Sequence, residues 1–214
     1  LVSVVTGSFN LAIGRNALSA NTASDNIAIG NDAGDALTTG VRNIGIGVSA
    51  LSTQSTAGYN TAIGWHALRL NTTGQEHVAV GQNSLSSNTT GTQNTALGGG
   101  TLQNNTTGSQ NTAVGRDALI SSNGSYNTAV GMDALNDNTT GEQNTAVGAL
   151  ALDASTTASF NTAIGYRALS ANTSGSPNTA VGSDALRDNT TGIENTAVGS
   201  GALTVNTTGG YNTA

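Results

Sequence analysis

The chain repeats one short motif along its whole length. The pentapeptide Asn-Thr-Ala-Val-Gly, or a close variant of it, recurs at intervals of 17 residues, with two intervals of 16. The motif starts at Asn10, Asn26, Asn43, Asn60, His77, Asn94, Asn111, Asn127, Asn144, Asn161, Asn178, Asn195 and Asn212. A fixed short period is the signature of a solenoid, in which each unit packs only on its neighbours. Residues 1–214 are therefore predicted to form a single repetitive domain.

The complete unit reads N-T-A-V-G-x-x-A-L-x-x-N-T-T-G-x-x, and its positions are numbered here from one to seventeen. The fourth position is always Ile, Val or Leu, and the fifth is always Gly. The ninth position is Leu except at Gly34, and the third is Ala except at Gly45. Such a small residue at the third position indicates that space is tight there.

The composition of the unit favours strands and turns over helix. Most units carry two or more glycines and two Asn-Thr segments, which are poor in helix interiors. A short β-branched strand ending in Gly, a second short strand around Ala-Leu and a turn at Asn-Thr-Thr-Gly account for the pattern. The prediction is an all-β parallel β-solenoid of about twelve coils, one unit per coil, stacked about 4.8 Å apart.

Stacking of identical coils places equivalent side chains in columns, called ladders below. The Asn side chains of the first and twelfth positions are predicted to bond to the coils above and below. The apolar residues of the fourth and ninth positions are predicted to form the structural core: Val114, Leu119, Val130, Leu135, Val147, Ile164, Leu169, Val181, Leu186, Val198 and Leu203. The strand face that carries the second and fourth positions fits either this core or a contact between chains, and the pattern leaves both open.

The variable positions indicate the surface. All charged residues occupy the sixth, seventh, tenth, eleventh, sixteenth or seventeenth position, which are predicted to face solvent. Aromatic residues occur only at the sixth and seventeenth positions, on either side of the strand. They either cover the ends of an apolar strip or contact a partner, and the candidate contact residues are Tyr59, Trp65, Tyr126, Phe160 and Tyr166.

Composition excludes several classes of function. The formal net charge is −6 and the only cations are six arginines, so binding of nucleic acid through a basic patch is not expected. No stretch approaches the roughly 20 apolar residues of a membrane span. The two histidines, His66 and His77, occupy unrelated positions, and no calcium loop or phosphate-binding motif occurs. We therefore expect no enzyme, no metal and no cofactor. The Asn-Thr-Thr triplets match the glycosylation pattern, but they are the turn of the repeat and we expect no modification.

The run Asn-Thr-Ala-Val/Ile-Gly-x-x-Ala-Leu, as in 127–135 and 161–169, resembles the repeats in the head domains of trimeric autotransporter adhesins. With the following Asn-Thr-Thr-Gly, it also resembles the repeat arrays of phage tail-fibre-type proteins. The resemblance covers essentially the whole chain. It implies a left-handed parallel β-roll, a parallel homotrimer, and a role as stalk or adhesive head.

These observations predict a structural or adhesive shaft segment of an extracellular fibre, on a cell surface or a virion. The expected partners are further copies of the chain, with a cell-surface glycan or protein receptor as a further candidate. The alternatives are an ice-binding solenoid and a glycan-binding or depolymerase tail-spike segment. Because residues 1–9 fit the tail of a preceding unit and 212–214 begin another, we expect the chain to be part of a longer fibre.

Overall fold

The structure, a computed structural model, describes residues 7–214, which form two compact units, one up to Ser109 and one from Gln110 to Ala214. The strands of the first unit are β1 (Leu11–Ile13), β2 (Ile27–Ile29), β3 (Ile44–Ile46), β4 (Thr61–Ile63), β5 (Val78–Val80) and β6 (Thr95–Leu97). Those of the second are β7 (Thr112–Val114), β8 (Thr128–Val130), β9 (Thr145–Val147), β10 (Thr162–Ile164), β11 (Asn178–Val181) and β12 (Asn195–Val198). The prediction of an all-β parallel β-solenoid is confirmed, with about eleven turns and no helix in the part of the chain described.

Consecutive strands within each unit pair in parallel and in register. Ala62 of β4 lies beside Ala79 of β5, and Ala146 of β9 lies beside Ala163 of β10. The 16-residue coils keep this register, since Leu11 still pairs with Ile27. The missing residue is therefore absorbed in a turn. The expected tail of a preceding coil falls partly on residues 1–6, which lie outside the described residues.

The middle residue of each strand faces the interior. Successive side chains of a strand point to opposite faces, so an inward Ala places its two neighbours outward. Ala62 and Ala146 are fully buried, whereas Thr145 and Val147 on either side of Ala146 are only half-buried. The interior of each coil is thus lined by a small residue on its strand side.

The second strand expected around Ala-Leu does not form. Leu119 and Asp117 both adopt left-handed backbone conformations, with φ of 52° and 57°. Left-handed residues on either side of Ala118 curl the chain, so that the side chains of Ala118 and Leu119 are both fully buried. The backbone still bonds to the next coil, because the N–H of Leu119 donates to the carbonyl of Ala134 at 3.0 Å.

The glycine after each strand is required by both conformation and space. Gly148 has a φ of 138°, which residues with a side chain rarely adopt. A Cβ atom at Gly148 would lie 2.4 Å from the carbonyl oxygen of Gly165 in the next coil. No side chain fits between coils at this point, which explains why the fifth position never varies.

In the one coil without Leu at the ninth position, a leucine from the twelfth position fills the interior instead. Gly34 stands there, and Leu37 occupies the twelfth position in place of Asn. Leu37 is fully buried and clusters with Ala17, Leu18 and Ala28. A Cβ atom at Gly34 would lie 3.1 Å from Leu18 Cδ2, so the leucine from the twelfth position supplies the apolar volume.

Candidate functional site: the outer strand face

The side chains of the two asparagine ladders lie inside the coils and form hydrogen bonds within a coil and between neighbouring coils. The N–H of Asn144 donates to Asn127 Oδ1 of the preceding coil at 2.9 Å, and Asn144 Nδ2 donates to the carbonyl of Ala158 at 2.8 Å. At the twelfth position, Asn88 Nδ2 donates to Asn71 Oδ1 at 2.8 Å. These amides satisfy buried backbone groups and one another, so they hold the coils together and are not available to a ligand.

In the 17-residue coils, asparagine at the twelfth position is always accompanied by glycine at the fifteenth. A Cβ atom at Gly141 would lie 2.4 Å from Asn138 Oδ1 of the same coil. Where the fifteenth residue is Ala57, the twelfth is Gln54, which donates to the Ala57 carbonyl at 2.7 Å, and where it is Ala158, the twelfth is the smaller Ser155. There the ladder is interrupted, because Asn138 Oδ1 and Ser155 Oγ are buried without a hydrogen-bond partner. The pairing of Asn with Gly is visible in the sequence, but its cause is not.

His77 replaces Asn at the first position and reproduces its hydrogen bonds. Its Nδ1 accepts the N–H of Asn94 at 3.2 Å, and its Nε2 lies 2.8 Å from the carbonyl of Gly91. The neutral ring protonated on Nε2 satisfies both contacts. Burial lowers the pKa of His77 to about 4, so the ring is neutral near pH 7. His77 is a structural substitute for Asn in the ladder.

The asparagines of the Asn-Thr-Thr triplets lie inside the coils. Asn71, Asn138 and Asn189 are fully buried and bonded to their own or neighbouring coils. A folded coil therefore does not present these three side chains for glycosylation.

The fourth-position residues lie outside the core of the single chain, which corrects the expectation for half of the predicted core set. They share the outward face of the strand with the second position because Ala occupies the inward side. Val114, Val130, Val147 and Val181 are half-buried, Ile164 is 40% exposed and Val198 is 62% exposed. The ninth-position leucines form the interior: Leu119, Leu135, Leu169 and Leu186 are fully buried, and Leu203 is half-buried.

The outer strand face is therefore an apolar and hydroxyl-bearing surface free of charge. In the second unit the second position of every strand is Thr, and the fourth is Val or Ile. In the first unit, Leu11, Ile27, Ile44 and Val78 replace Thr, which makes that face more apolar. Each row of the face repeats at the strand spacing, about 4.8 Å.

The aromatic residues expected to make contacts are all partly exposed. Tyr59, Trp65 and Tyr166 are about half exposed, as are Tyr126 and Phe160. Their exposed rings are held by neighbours along the surface: Arg42 lies over the Tyr59 ring at 5.5 Å, and the Trp65 ring stacks on that of His66 at 3.6 Å. They flank the outer strand face in sequence and are accessible to a partner.

Of the six ion pairs on the surface of residues 7–214, three join successive coils and three lie within one coil. Arg15 binds Asp32 at 2.9 Å, and Arg187 binds Asp188 at 2.7 Å. Arg42, Arg116 and Arg167 each have a carboxylate within 3.9 Å. Exposed pairs of this kind contribute little to stability, because solvent screens them.

Within residues 7–214, no three metal-ligating side chains come together. No helix in that part of the chain is long and apolar enough to cross a membrane. Burial is the main cause of the raised pKa values of Asp35 and Asp153, and the neighbouring carboxylates of Asp32 and Asp137, respectively, raise them further.

Fold and ladders together define a parallel β-solenoid repeat protein. No family model, no curated protein and no solved structure matches this chain. Its function is accordingly argued from the surfaces that the coils present.

Proposed function

We propose that the chain is a non-catalytic shaft segment of an extracellular fibre, on a cell surface or a virion, and that copies of it associate through the outer strand face. The observation that carries the proposal is the outward position of the fourth-position residues. A chain that functioned alone would leave Val147, Ile164 and their equivalents in water along the whole stack. Covering a half-exposed valine contributes about 1 kcal/mol per coil.

A second copy is the partner that fits the whole face. The rows of the face repeat once per coil, and only a surface with the same repeat matches every coil in register. An identical parallel chain has that repeat by construction. The absence of charge from the second and fourth positions favours close approach, since no ion needs to be desolvated. We propose a parallel homotrimer with left-handed coils, which the resemblance of the repeat supports.

The experiment compares two aspartate variants in one coil by sedimentation velocity at micromolar concentration. Val147→Asp places a carboxylate on the outer strand face, and Thr157→Asp places the same charge on an exposed turn. We expect the parent chain and Thr157→Asp to sediment as trimers and Val147→Asp as a monomer with an unchanged circular dichroism spectrum. A parent chain that stays monomeric under these conditions contradicts the proposal.

The fibre itself is tested on native material by electron microscopy. Repeated coils that continue beyond 214 residues, or chains that stack end to end, give thin rods with a fine axial repeat of about 4.8 Å. Discrete compact particles in place of rods would contradict the fibre role while leaving self-association intact.

Ice binding is a second candidate function, favoured by one observation. The six strands of the second unit present Thr at the second position and an aliphatic residue at the fourth, all facing outward in register. A regular, uncharged array of hydroxyl and methyl groups on a sheet is a surface that can order water. A thermal-hysteresis assay decides this: no hysteresis at millimolar protein concentration excludes it, and loss of hysteresis in Thr145→Asp would support it.

A further inference from the structure

Arg69 differs from every other arginine of the chain. All six arginines lie within the described residues, and Arg69 alone has no acidic partner. Its Nε atom is buried without a hydrogen-bond partner. Arg187 occupies the same tenth position in its own coil, and it donates from Nε and Nη2 to Asp188 at 2.7 and 2.9 Å. No carboxylate of residues 7–214 pairs with Arg69, so its two Nη atoms have no ionic partner, whereas its Nε lies out of reach of a ligand.

The only tryptophan lies in the same coil as Arg69, four residues before it. Trp65 is 46% exposed, and its ring stacks on that of His66 with a centroid distance of 3.6 Å and an interplanar angle of 21°. The imidazole thus supports the indole, which still presents much of its surface to solvent. Burial, followed by the charge of Arg69, lowers the pKa of His66, so the ring is neutral near pH 7 and can both donate and accept a hydrogen bond.

The neighbouring coils leave this charge uncompensated. The residues at the sixth, seventh and tenth positions of the two adjoining coils are small or uncharged: Val48, Ser49, Ser52, Gln82, Asn83 and Ser86. Their hydroxyl and amide groups can bond to hydroxyls, and none of them supplies a negative charge to neutralise the guanidinium. The same coil carries Glu76 at its seventeenth position, but that carboxylate accepts a hydrogen bond from Gln93 Nε2 at 3.0 Å and forms no ion pair with Arg69.

We propose that Trp65, His66 and Arg69 form a binding site for a carboxylated saccharide. The two Nη atoms of the guanidinium donate to the two oxygens of the sugar carboxylate, since Nε is buried, and the flat apolar surface of the indole packs against the face of the sugar ring. A simple anion would satisfy Arg69 but leave Trp65 unused. The inference builds on the adhesive role within the proposed function and names the class of ligand.

Because Trp65 is the only tryptophan, its fluorescence reports directly on this site. The chain is titrated with a hexasaccharide of hyaluronan, which carries glucuronate, with the uncharged maltohexaose, and with sodium acetate at matched ionic strength. We expect a saturable change with the hyaluronan fragment only. The same change with maltohexaose, or with acetate alone, overturns the proposal, as does the absence of any saturable change.

Matched variants locate the binding. Arg69→Gln is expected to weaken hyaluronan binding at least tenfold, and Arg187→Gln, at the same position of another coil, to leave it unchanged. Trp65→Ala is compared with Tyr166→Ala by calorimetry, since both residues occupy the sixth position, and only the former should lose binding. Equal effects within either pair contradict the site. Sedimentation velocity on the same samples distinguishes the saccharide-site proposal from the proposed self-association. Chains that form trimers but bind no saccharide would contradict the saccharide site and leave the fibre proposal intact.

Discussion

Replacement of His77 by Asn tests whether the ladder of the first position is a hydrogen-bonded column that tolerates no charge. The ring of His77 is 1% exposed, and its Nδ1 accepts the N–H of Asn94 at 3.2 Å. Protonation of Nδ1 would remove that acceptor and place a charge in the interior. His77→Asn restores the residue found at this position in the other coils, with an amide that cannot titrate in this range.

The magnitude follows from the difference between the folded and unfolded pKa values. Burial lowers the folded pKa of His77 to about 4, from the ordinary value of 6.5. Above pH 6.5 the ring is neutral in both states, and the free energy of unfolding does not depend on it. Between pH 6.5 and about 4 the unfolded chain binds a proton that the folded chain does not, so folding loses about 1.4 kcal/mol per pH unit. The total loss is about 3 kcal/mol and levels off below the folded pKa.

Urea denaturation from pH 4 to pH 8, followed by Trp65 fluorescence and circular dichroism, measures the effect. The free energies of unfolding of the parent chain and His77→Asn should differ by a constant amount above pH 7. The variant should gain about 3 kcal/mol relative to the parent as the pH falls to about 4. The carboxylates titrate in both proteins and cancel in the difference. His66→Gln, at the surface of the preceding coil, should show a smaller dependence of the same sign. A difference between parent and His77→Asn that is independent of pH would refute the reasoning.

Three further predictions concern the contacts between coils. Gly148→Ala should lower the free energy of unfolding by more than about 3 kcal/mol, because its Cβ meets a backbone carbonyl at 2.4 Å. Gly199→Ala, with a similar φ but nothing within 4 Å, should lose only about 1 kcal/mol in chemical denaturation, and equal losses would contradict the steric argument. Ser155→Asn alone should destabilise the fold. Combined with Ala158→Gly, it should stabilise the fold by about 1–2 kcal/mol, because the new amide donates to Asn138 Oδ1. Additive effects of the two substitutions in a double-mutant cycle would refute this coupling. Leu119→Ala should lose about 2–5 kcal/mol, and a loss below 1 kcal/mol would show that the leucine ladder is not the core.

The proposed saccharide site is only partly visible in the sequence. The pattern gives Trp65 as a candidate contact, but Arg69 is one of six arginines at variable positions. What distinguishes Arg69 is the lack of a paired carboxylate both in its own coil and in the adjoining coils, and the adjoining coils can be compared only when they are stacked in register. A comparison of equivalent positions across adjoining units, rather than along the chain, would have exposed it.

The repeat by itself determined the class of fold and much of the interior. A period of 17 residues with glycine, small residues and paired Asn-Thr segments permits stacked coils and little else, and the ladders of leucine and asparagine follow from exact repetition. The sequence also shows that Gly34 replaces the ninth-position leucine and that a leucine, Leu37, follows three residues later. Only the packing shows that Leu37 fills the volume that the missing leucine would occupy.

Which side of the strand faces inward was decided by the tertiary structure. Hydrophobicity favours Val147 for the interior over Ala146, yet Ala146 is buried and Val147 lies outside. Strand alternation places them on opposite faces but does not choose between the faces. The choice depends on volume: the left-handed conformation of the ninth residue directs leucines such as Leu152 into the coil, and the remaining space admits only alanine on the strand side. No local sequence signal predicts a left-handed backbone at a leucine. Because the inward leucines leave room only for alanine, the larger valine and isoleucine of the strand lie on the outer face.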